Sequence, residues 1–396
     1  MLQAAPVILH GEFDPSNITD SHHKTWESLH LHGYADDRSC TQLRDVMENT
    51  NAGYKSIDSS TNIEDAVVNK TADPCLQSWE ANSEASGINY GTTSLDFSLL
   101  WANDKENIVR GPFEYSVAHL GKDFRTKFIH AFNAWLNIPP ARLEIISHVI
   151  NLLHESSLLI DDIQDSSQLR RGFPTAYRVF GVAQTLNSAN YIYFRALQKV
   201  EELNNPAAVS VFIDEMVNLH RGQGLELYWR DSSTCPSEAD YLEMIAHKTG
   251  GLLRLCARLM LAESQDRDVG YTLLANIIGI IYQIRDDLMN LCSEDYGKAK
   301  GMFEDITEGK FSLPILHSIR SNPGNGLLQS ILGQKTADIT LKDCAVRYIR
   351  SQGSFEYTRN VMLVLIERAK KMILEIDDGR NKSHDLLVIL GQLTVS

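Results

Sequence analysis

The stretch His154–Gly172, H-E-S-S-L-L-I-D-D-I-Q-D-S-S-Q-L-R-R-G, decides both the fold and the chemistry of this chain. Asp161, Asp162 and Asp165 fall at i, i+1 and i+4, so on a helix Asp161 and Asp165 stack on one face with Asp162 beside them. Bare carboxylates so placed repel one another unless a cation stands between them. Hard oxygen ligands at this density suit Mg²⁺, which keeps several waters and takes one or two carboxylates together with substrate phosphate oxygens. Arg170 and Arg171 follow closely, and a planar guanidinium grips phosphate with two parallel hydrogen bonds. His154 lies two helical turns before Asp161 on nearly the same face and reaches toward the same space. The composite reads as a Mg²⁺–diphosphate site.

An acidic cluster on a helix is more often a solvated face. Here it is preceded by Leu158-Leu159-Ile160, which places apolar residues beside the acids, unlike a fully wet face. A calcium loop is excluded, because Ser166 and Ser167 stand where the EF-hand needs its glycine turn.

Around this core, 396 residues suffice for one large helical domain with an appendage. The formal charge of −14 argues against nucleic acid as a partner. It is unevenly spread: residues 1–100 hold 15 Asp and Glu against 5 Lys and Arg, net −10, which leaves −4 for the rest. Residues 1–102 read as a polar, acidic, mostly disordered leader with one short helix near Thr41–Asn49; its His22, His23, His30 and His32 read as surface residues in a loose segment. Six scattered cysteines without a C-x-x-C read as free thiols in a reducing, cytoplasmic compartment. The start does not read as a signal or transit peptide, and no run of 18 consecutive apolar residues marks a membrane span.

From Asn103 onward long helical periodicities follow one another with few breakers: Pro140–Ile160, Ala176–Leu203, Ala207–Arg230, Glu238–Glu263 and Arg267–Leu291. No strand pattern competes, so residues 103–396 are expected to form one all-α domain, a bundle around a central cavity. A second acidic pair lies inside the last of these helices. Gln283, Asp286, Asp287 and Asn290 share one face, and the 125 residues from Asp161 to Asp286 are enough chain to return across a bundle. Lys122, Arg125, Lys248, Lys300 and Lys310 are each more ordinary as surface residues; their conjunction with two acidic motifs implies two anion clamps, one through metal ions and one through basic side chains.

With both aspartate motifs, R-R-G, G-K-x-x-R and K-T-G-G in this order, residues 105–390 resemble the trans-prenyltransferases, or isoprenyl diphosphate synthases, and most of all their fungal geranylgeranyl type. The resemblance implies an all-α bundle in which an allylic diphosphate ionises and isopentenyl diphosphate adds head to tail. It implies that Asp161, Asp162 and Asp165 bind two Mg²⁺ and that Asp286 and Asp287 bind a third, with Asn290 where some relatives have a further Asp. Arg170, Lys248 and Lys310 resemble the allylic-diphosphate contacts, with Lys300 as helper. Lys122, Arg125, His154 and Arg171 resemble the isopentenyl-diphosphate clamp, and Thr249 and Gln283 the polar residues near the reacting carbons. Ser156 and Ser157 are small where farnesyl-type relatives carry an aromatic residue. The floor of the chain-length pocket is then expected further down, at Tyr193, Phe194 and His220, for a 20-carbon product feeding diterpenoid biosynthesis. Homodimers or larger homo-oligomers are expected. The alternatives are a farnesyl diphosphate synthase, a class I terpene cyclase and a non-catalytic synthase subunit. A cyclase needs N-x-x-x-S-x-x-x-E, and Asn290 with Ser293 sets the serine one residue early. A subunit of that kind usually lacks one aspartate motif, and both stand here.

Overall fold

A computed structural model describes residues 101–119, 124–293 and 302–394. The expected leader, with its short helix and histidines, lies outside the described residues except for its last two positions, as do Lys122 and Lys300. In chain order the helices are α1 (Asn103–Val117), α2 (Phe124–Leu136), α3 (Pro140–Gln164), α4 (Ala176–Phe180), α5 (Val182–Glu201), α6 (Pro206–Asp231), α7 (Glu238–Lys248), α8 (Gly250–Ala262), α9 (Tyr271–Cys292), α10 (Glu304–Glu308), α11 (Leu313–Ser321), α12 (Leu327–Gly333), α13 (Ile339–Ser351), α14 (Ser354–Asp377) and α15 (His384–Leu393). The all-α reading holds. One antiparallel pair of two-residue strands, β1 (Leu169–Arg170) and β2 (Phe173–Pro174), joins α3 to α4.

Helix α3 starts as its sequence dictates, with Pro140 in the first turn, where the missing N–H costs nothing. Its length and apolarity would allow it to cross a membrane, which the test of an unbroken apolar run did not select. Here Ile146, Val149, Ile150, Leu153 and Leu159 are buried in the bundle core, where α3 packs on α5 and α8. Each such side chain contributes about 1.5–3 kcal/mol by leaving water.

Helix α9 joins the two halves of the core. Leu274, Ile278 and Ile281 of its first three turns belong to one buried cluster and Ile284, Leu288 and Leu291 of its last turns to the other, and the helix packs chiefly on α8 and α14, with α7 and α11 beside it. The acidic pair Asp286-Asp287 thus rides on a helix that is buried along most of its length.

Two helices expected to be continuous are divided. Gly181, at φ +82°, separates α4 from α5. Thr249 separates α7 from α8, and the cause is close packing: a Cβ built on Gly279 of α9 would lie 2.6 Å from the Gly250 Cα. Only two facing glycines allow the backbones of α8 and α9 to meet there.

Candidate active site

The first acidic motif closes α3. Asp161 and Asp162 stand in its last turn and Asp165 is the C-cap, its N–H donating to the Asp161 carbonyl at 2.8 Å. This is the wrong end of a helix for carboxylates, since the C-terminus carries about half a negative charge. The arrangement therefore needs cations, and three elements supply them. Arg170 on β1 places Nε and Nη2 at 2.8 and 2.5 Å from Asp162 Oδ1, and Nη2 at 3.2 Å from Asp161 Oδ2. Arg230 on α6 donates to Asp165 at 2.7 Å. Lys248, the last residue of α7, lies 3.5 Å from Asp161 Oδ1. Even so, burial and the neighbouring Asp161 push the Asp165 carboxyl up to about 7.

The R-R-G sequence presents its arginines on a two-residue hairpin. Arg170 pairs with Phe173, and the residues between them, Arg171 and Gly172, have φ +57° and +84°. Two left-handed central residues match the twist of a tight antiparallel hairpin, which makes Gly172 the natural second residue. Successive side chains then diverge: Arg170 turns to the aspartates, while Arg171 donates to Glu155 Oε1 at 3.0 Å and to the His119 carbonyl at 2.5 Å. Close to Arg171 lies His154, whose imidazole is held neutral by burial and by the positive charges of Arg125, Arg171 and Arg170. Of the four residues expected to form the metal-free clamp, His154 and Arg171 therefore lie beside the first motif, and the positive charge of Arg125 is felt at His154.

The second motif is held from several sides. Asp287, 1% exposed, accepts at Oδ2 from the Tyr241 hydroxyl at 2.5 Å and the Leu313 N–H at 3.2 Å, and at Oδ1 from Gln283 at 2.8 Å and Lys310 at 3.2 Å. Gln283 in turn accepts from the Thr249 hydroxyl, so K-T-G-G and the second motif form one hydrogen-bonded unit. Asp286 is half-buried beside it. Asn290 accepts from the backbone N–H of Asp305 at 3.2 Å, which ties it to the first turn of α10.

Glu226 on α6 joins the two motifs. Its carboxylate pairs with Lys248, and its Oε1 lies 4.0 Å from Lys310. A continuous line of opposite charges thus runs Asp161–Lys248–Glu226–Lys310–Asp287. Burial opposes charge on both lysines, but the surrounding acids, Glu226 and Asp161 for Lys248 and Asp287 and Asp305 for Lys310, keep them protonated beyond the usual range. Burial and the charges of Asp165 and Asp305 hold the Glu308 carboxyl well above its usual range. The cluster is thus acid-rich and built of oxygen donors, a set that fits a hard divalent cation. As the side chains stand, no three acids among the described residues converge on one point, because Arg170, Lys248 and Lys310 lie between them.

Of the residues expected to set chain length, Ser156 is buried on α3 and Ser157 exposed. Tyr193 turns inward; burial and the Asp161 charge push its hydroxyl up to about 12, and its ring meets His220 edge-on at 5.9 Å. His220 is itself exposed, anchored to the Met216 carbonyl at 2.8 Å. Phe194 departs from the expectation: it is 70% exposed. Neighbouring residues on a helix point about 100° apart, so Tyr193 and Phe194 do not share one floor within one chain.

Glu226, Arg230, Tyr241, Glu155, Asp305 and Glu308 escaped the sequence reading. Glu226 and Arg230 lie four apart on one face of α6, a spacing that was visible; the others are brought in by tertiary packing alone.

Fold and site together define a prenyltransferase of the all-α class. The profile of the polyprenyl synthetase family matches residues 106–349, and the chain belongs to that family. Over 309 residues it is 56% identical to a geranylgeranyl pyrophosphate synthase of Fusarium fujikuroi, covering 77% of this chain and 74% of the relative. It is 51% identical over 322 residues to the geranylgeranyl pyrophosphate synthase of Hypoxylon pulicicidum, covering 81% and 84%. A third relative, geranylgeranyl pyrophosphate synthase 1 of Zymoseptoria tritici, is 51% identical over 306 residues, covering 75% and 89%.

Proposed function

We propose that this chain is a geranylgeranyl diphosphate synthase, which condenses isopentenyl diphosphate head to tail with dimethylallyl, geranyl and farnesyl diphosphates to a 20-carbon diphosphate that feeds diterpenoid biosynthesis. The observation that carries the reading is the line of alternating charge from Asp161 to Asp287 through Lys248, Glu226 and Lys310, which joins two motifs far apart in sequence into one polar site. The likeness to three fungal synthases over most of both chains supports the same activity.

The family works with divalent metal, and we assign about three Mg²⁺ to Asp161, Asp162 and Asp165 on one side and Asp286 and Asp287 on the other. When bound, these ions neutralise the charge that develops on a departing diphosphate. Arg170, Lys248 and Lys310 hold the allylic diphosphate and stabilise the same charge as the allylic C–O bond breaks, without any proton transfer. Lys300 assists them. Lys122, Arg125, His154 and Arg171 hold isopentenyl diphosphate and orient its double bond toward the allylic carbon. Thr249 and Gln283 line the reacting carbons, with Asn290 supporting the second motif through α10. The released diphosphate takes the final proton, so no side-chain base is required.

Ser156 and Ser157 leave the upper pocket open, and Tyr193 and His220 close it further down. Phe194 faces outward, and Val182 and Leu186 of the same helix and Ile213, Val217 and Tyr228 of the neighbouring α6 are exposed as well. A second copy of the chain covering this apolar face gives a homodimer and returns Phe194 to an enclosed setting. We read residues 1–102 as a leader to a prenyltransferase domain at 103–396, and the free thiols among the described residues, Cys235, Cys256, Cys292 and Cys344, suit the cytoplasm.

Labelled isopentenyl diphosphate with each starter and Mg²⁺, read as product length after dephosphorylation, tests the reading. A 20-carbon alcohol is expected. A 15-carbon limit would overturn the pocket assignment, and a cyclic hydrocarbon from an allylic substrate alone would replace the synthase with a cyclase.

A further inference from the structure

We infer that Glu226 is a positioning residue: its buried carboxylate draws the ammonium groups of Lys248 and Lys310 toward the space between the two acidic motifs, in competition with the metal-binding aspartates. The inference rests on the diphosphate-site reading above.

Two lysines with flexible four-carbon stems face two carboxylate clusters. Lys248 Nζ is 3.5 Å from Asp161, and Lys310 Nζ is 3.2 Å from Asp287 and 3.8 Å from Asp305. Lys310 already donates to Asp287, and without a competing carboxylate both ammonium groups would stay on aspartate oxygens that a divalent cation needs. Glu226 reaches both lysines, Lys248 with Oε2 and Lys310, at 4.0 Å, with Oε1. It is itself 8% exposed.

The surrounding fold is built to put it there. One helical turn earlier, Gly222 brings the α6 backbone against the end of α7; a Cβ on Gly222 would lie 2.4 Å from the Lys248 N and 2.9 Å from its Cα. Glu226 therefore sits directly under the Lys248 side chain. Between the two, Gln223 donates to Gln164 at 2.7 Å and fixes the rotation of α6 against the end of α3, next to the first motif. A residue needed only as bulk requires neither this close approach nor two basic partners.

The test compares Glu226→Gln, which keeps shape but loses charge, with the wild-type chain and with Glu226→Asp, which keeps charge. Titration calorimetry of inorganic pyrophosphate at several Mg²⁺ concentrations reads binding without turnover. For Glu226→Gln, pyrophosphate affinity is expected to fall at least tenfold and the half-saturating Mg²⁺ concentration to rise at least threefold, with Glu226→Asp recovering most of both. In turnover, KM for the allylic diphosphate rises about tenfold while KM for isopentenyl diphosphate stays within twofold, because its clamp lies on α2, α3 and the hairpin. Unchanged or tighter pyrophosphate binding in Glu226→Gln would overturn the inference, since Glu226 would then be only a counter-charge. An equal rise in both KM values, unrelieved by Glu226→Asp, would also overturn it. A wild-type chain that forms no prenyl product defeats the synthase reading instead, and the calorimetric comparison still decides the role of Glu226.

Discussion

Substituting Gly279 by alanine adds one methyl group where α9 crosses α8, and the geometry gives its consequence. The new Cβ would lie 2.6 Å from the Gly250 Cα and 3.1 Å from the Gly250 N, both backbone atoms that have no rotamer to change. Ordinary contact begins near 3.4 Å, so the helices must part by close to 0.8 Å along this line. Overpacking of this kind costs about 1–3 kcal/mol. The same movement opens the contact between Thr249 and Gln283, which orders the second acidic motif. A misplacement near 1 Å at a reacting centre costs up to about 10²-fold in rate. Gly391, in the last turn of α15 with nothing within 4 Å of its Cβ position, is the control. Gly391→Ala stabilises by roughly 0.5–1 kcal/mol, since alanine loses less entropy in a helix. Urea unfolding and steady-state turnover of the two variants provide the measurement. A Gly279→Ala enzyme within about 0.5 kcal/mol of the parent, the usual range for an uneventful surface change, and with parental kcat would refute the close-packing argument for the division at Thr249.

Three further outcomes follow from named contacts. At Gly172 nothing crowds the Cβ position, so Gly172→Ala loses only what the left-handed backbone costs, about 1–2 kcal/mol; Gly172→Asn, which tolerates that conformation, should lose less, and equal melting temperatures for the two would discount the hairpin. Tyr241→Phe removes a buried donor to Asp287, an interaction with a charged group worth about 1.5–3 kcal/mol; Mg²⁺-dependent turnover should drop while Asp287 keeps Gln283 and Lys310, and unchanged turnover in this variant argues against the assigned role of Asp287. The Asp377 carboxyl, lowered chiefly by the Trp135 indole N–H and further by the N–H groups of Lys382 and Asn381, stabilises the fold above the ordinary carboxylate range and loses that contribution as pH falls through its depressed value. Asp377→Asn should therefore flatten the acid limb of the stability profile; an unchanged acid limb would dissociate the contact from pH.

Much of the site was readable because its signals are local. Three aspartates at i, i+1 and i+4 at the end of an apolar helix, and a four-residue polar face inside another, depend only on helical periodicity, and both lie where that periodicity puts them. The Glu226–Arg230 spacing was visible but said nothing of its partners, and Tyr241 was not readable, because a glutamate and a tyrosine look like surface and core until a side chain from another helix arrives. The division at Thr249 was hidden for a similar reason: two glycines weaken a helix only slightly, and it is the facing Gly279 that turns them into a close crossing. Phe194 parts from Tyr193 within one chain because a helix turns neighbouring residues to different sides, which a residue pair carried over as a unit does not show.

The central claim is that both acidic motifs and the basic residues between them form one diphosphate site. Diffraction from crystals grown with Mn²⁺ and inorganic pyrophosphate, with anomalous scattering to locate the metal, tests it most directly. The account predicts manganese at Asp161 and Asp165 and at Asp286 or Asp287, with pyrophosphate oxygens on Arg170, Lys248 and Lys310 and with Glu226 still between the two lysines. Manganese elsewhere, or pyrophosphate bound while Arg170 and Lys310 remain on Asp162 and Asp287, would contradict it.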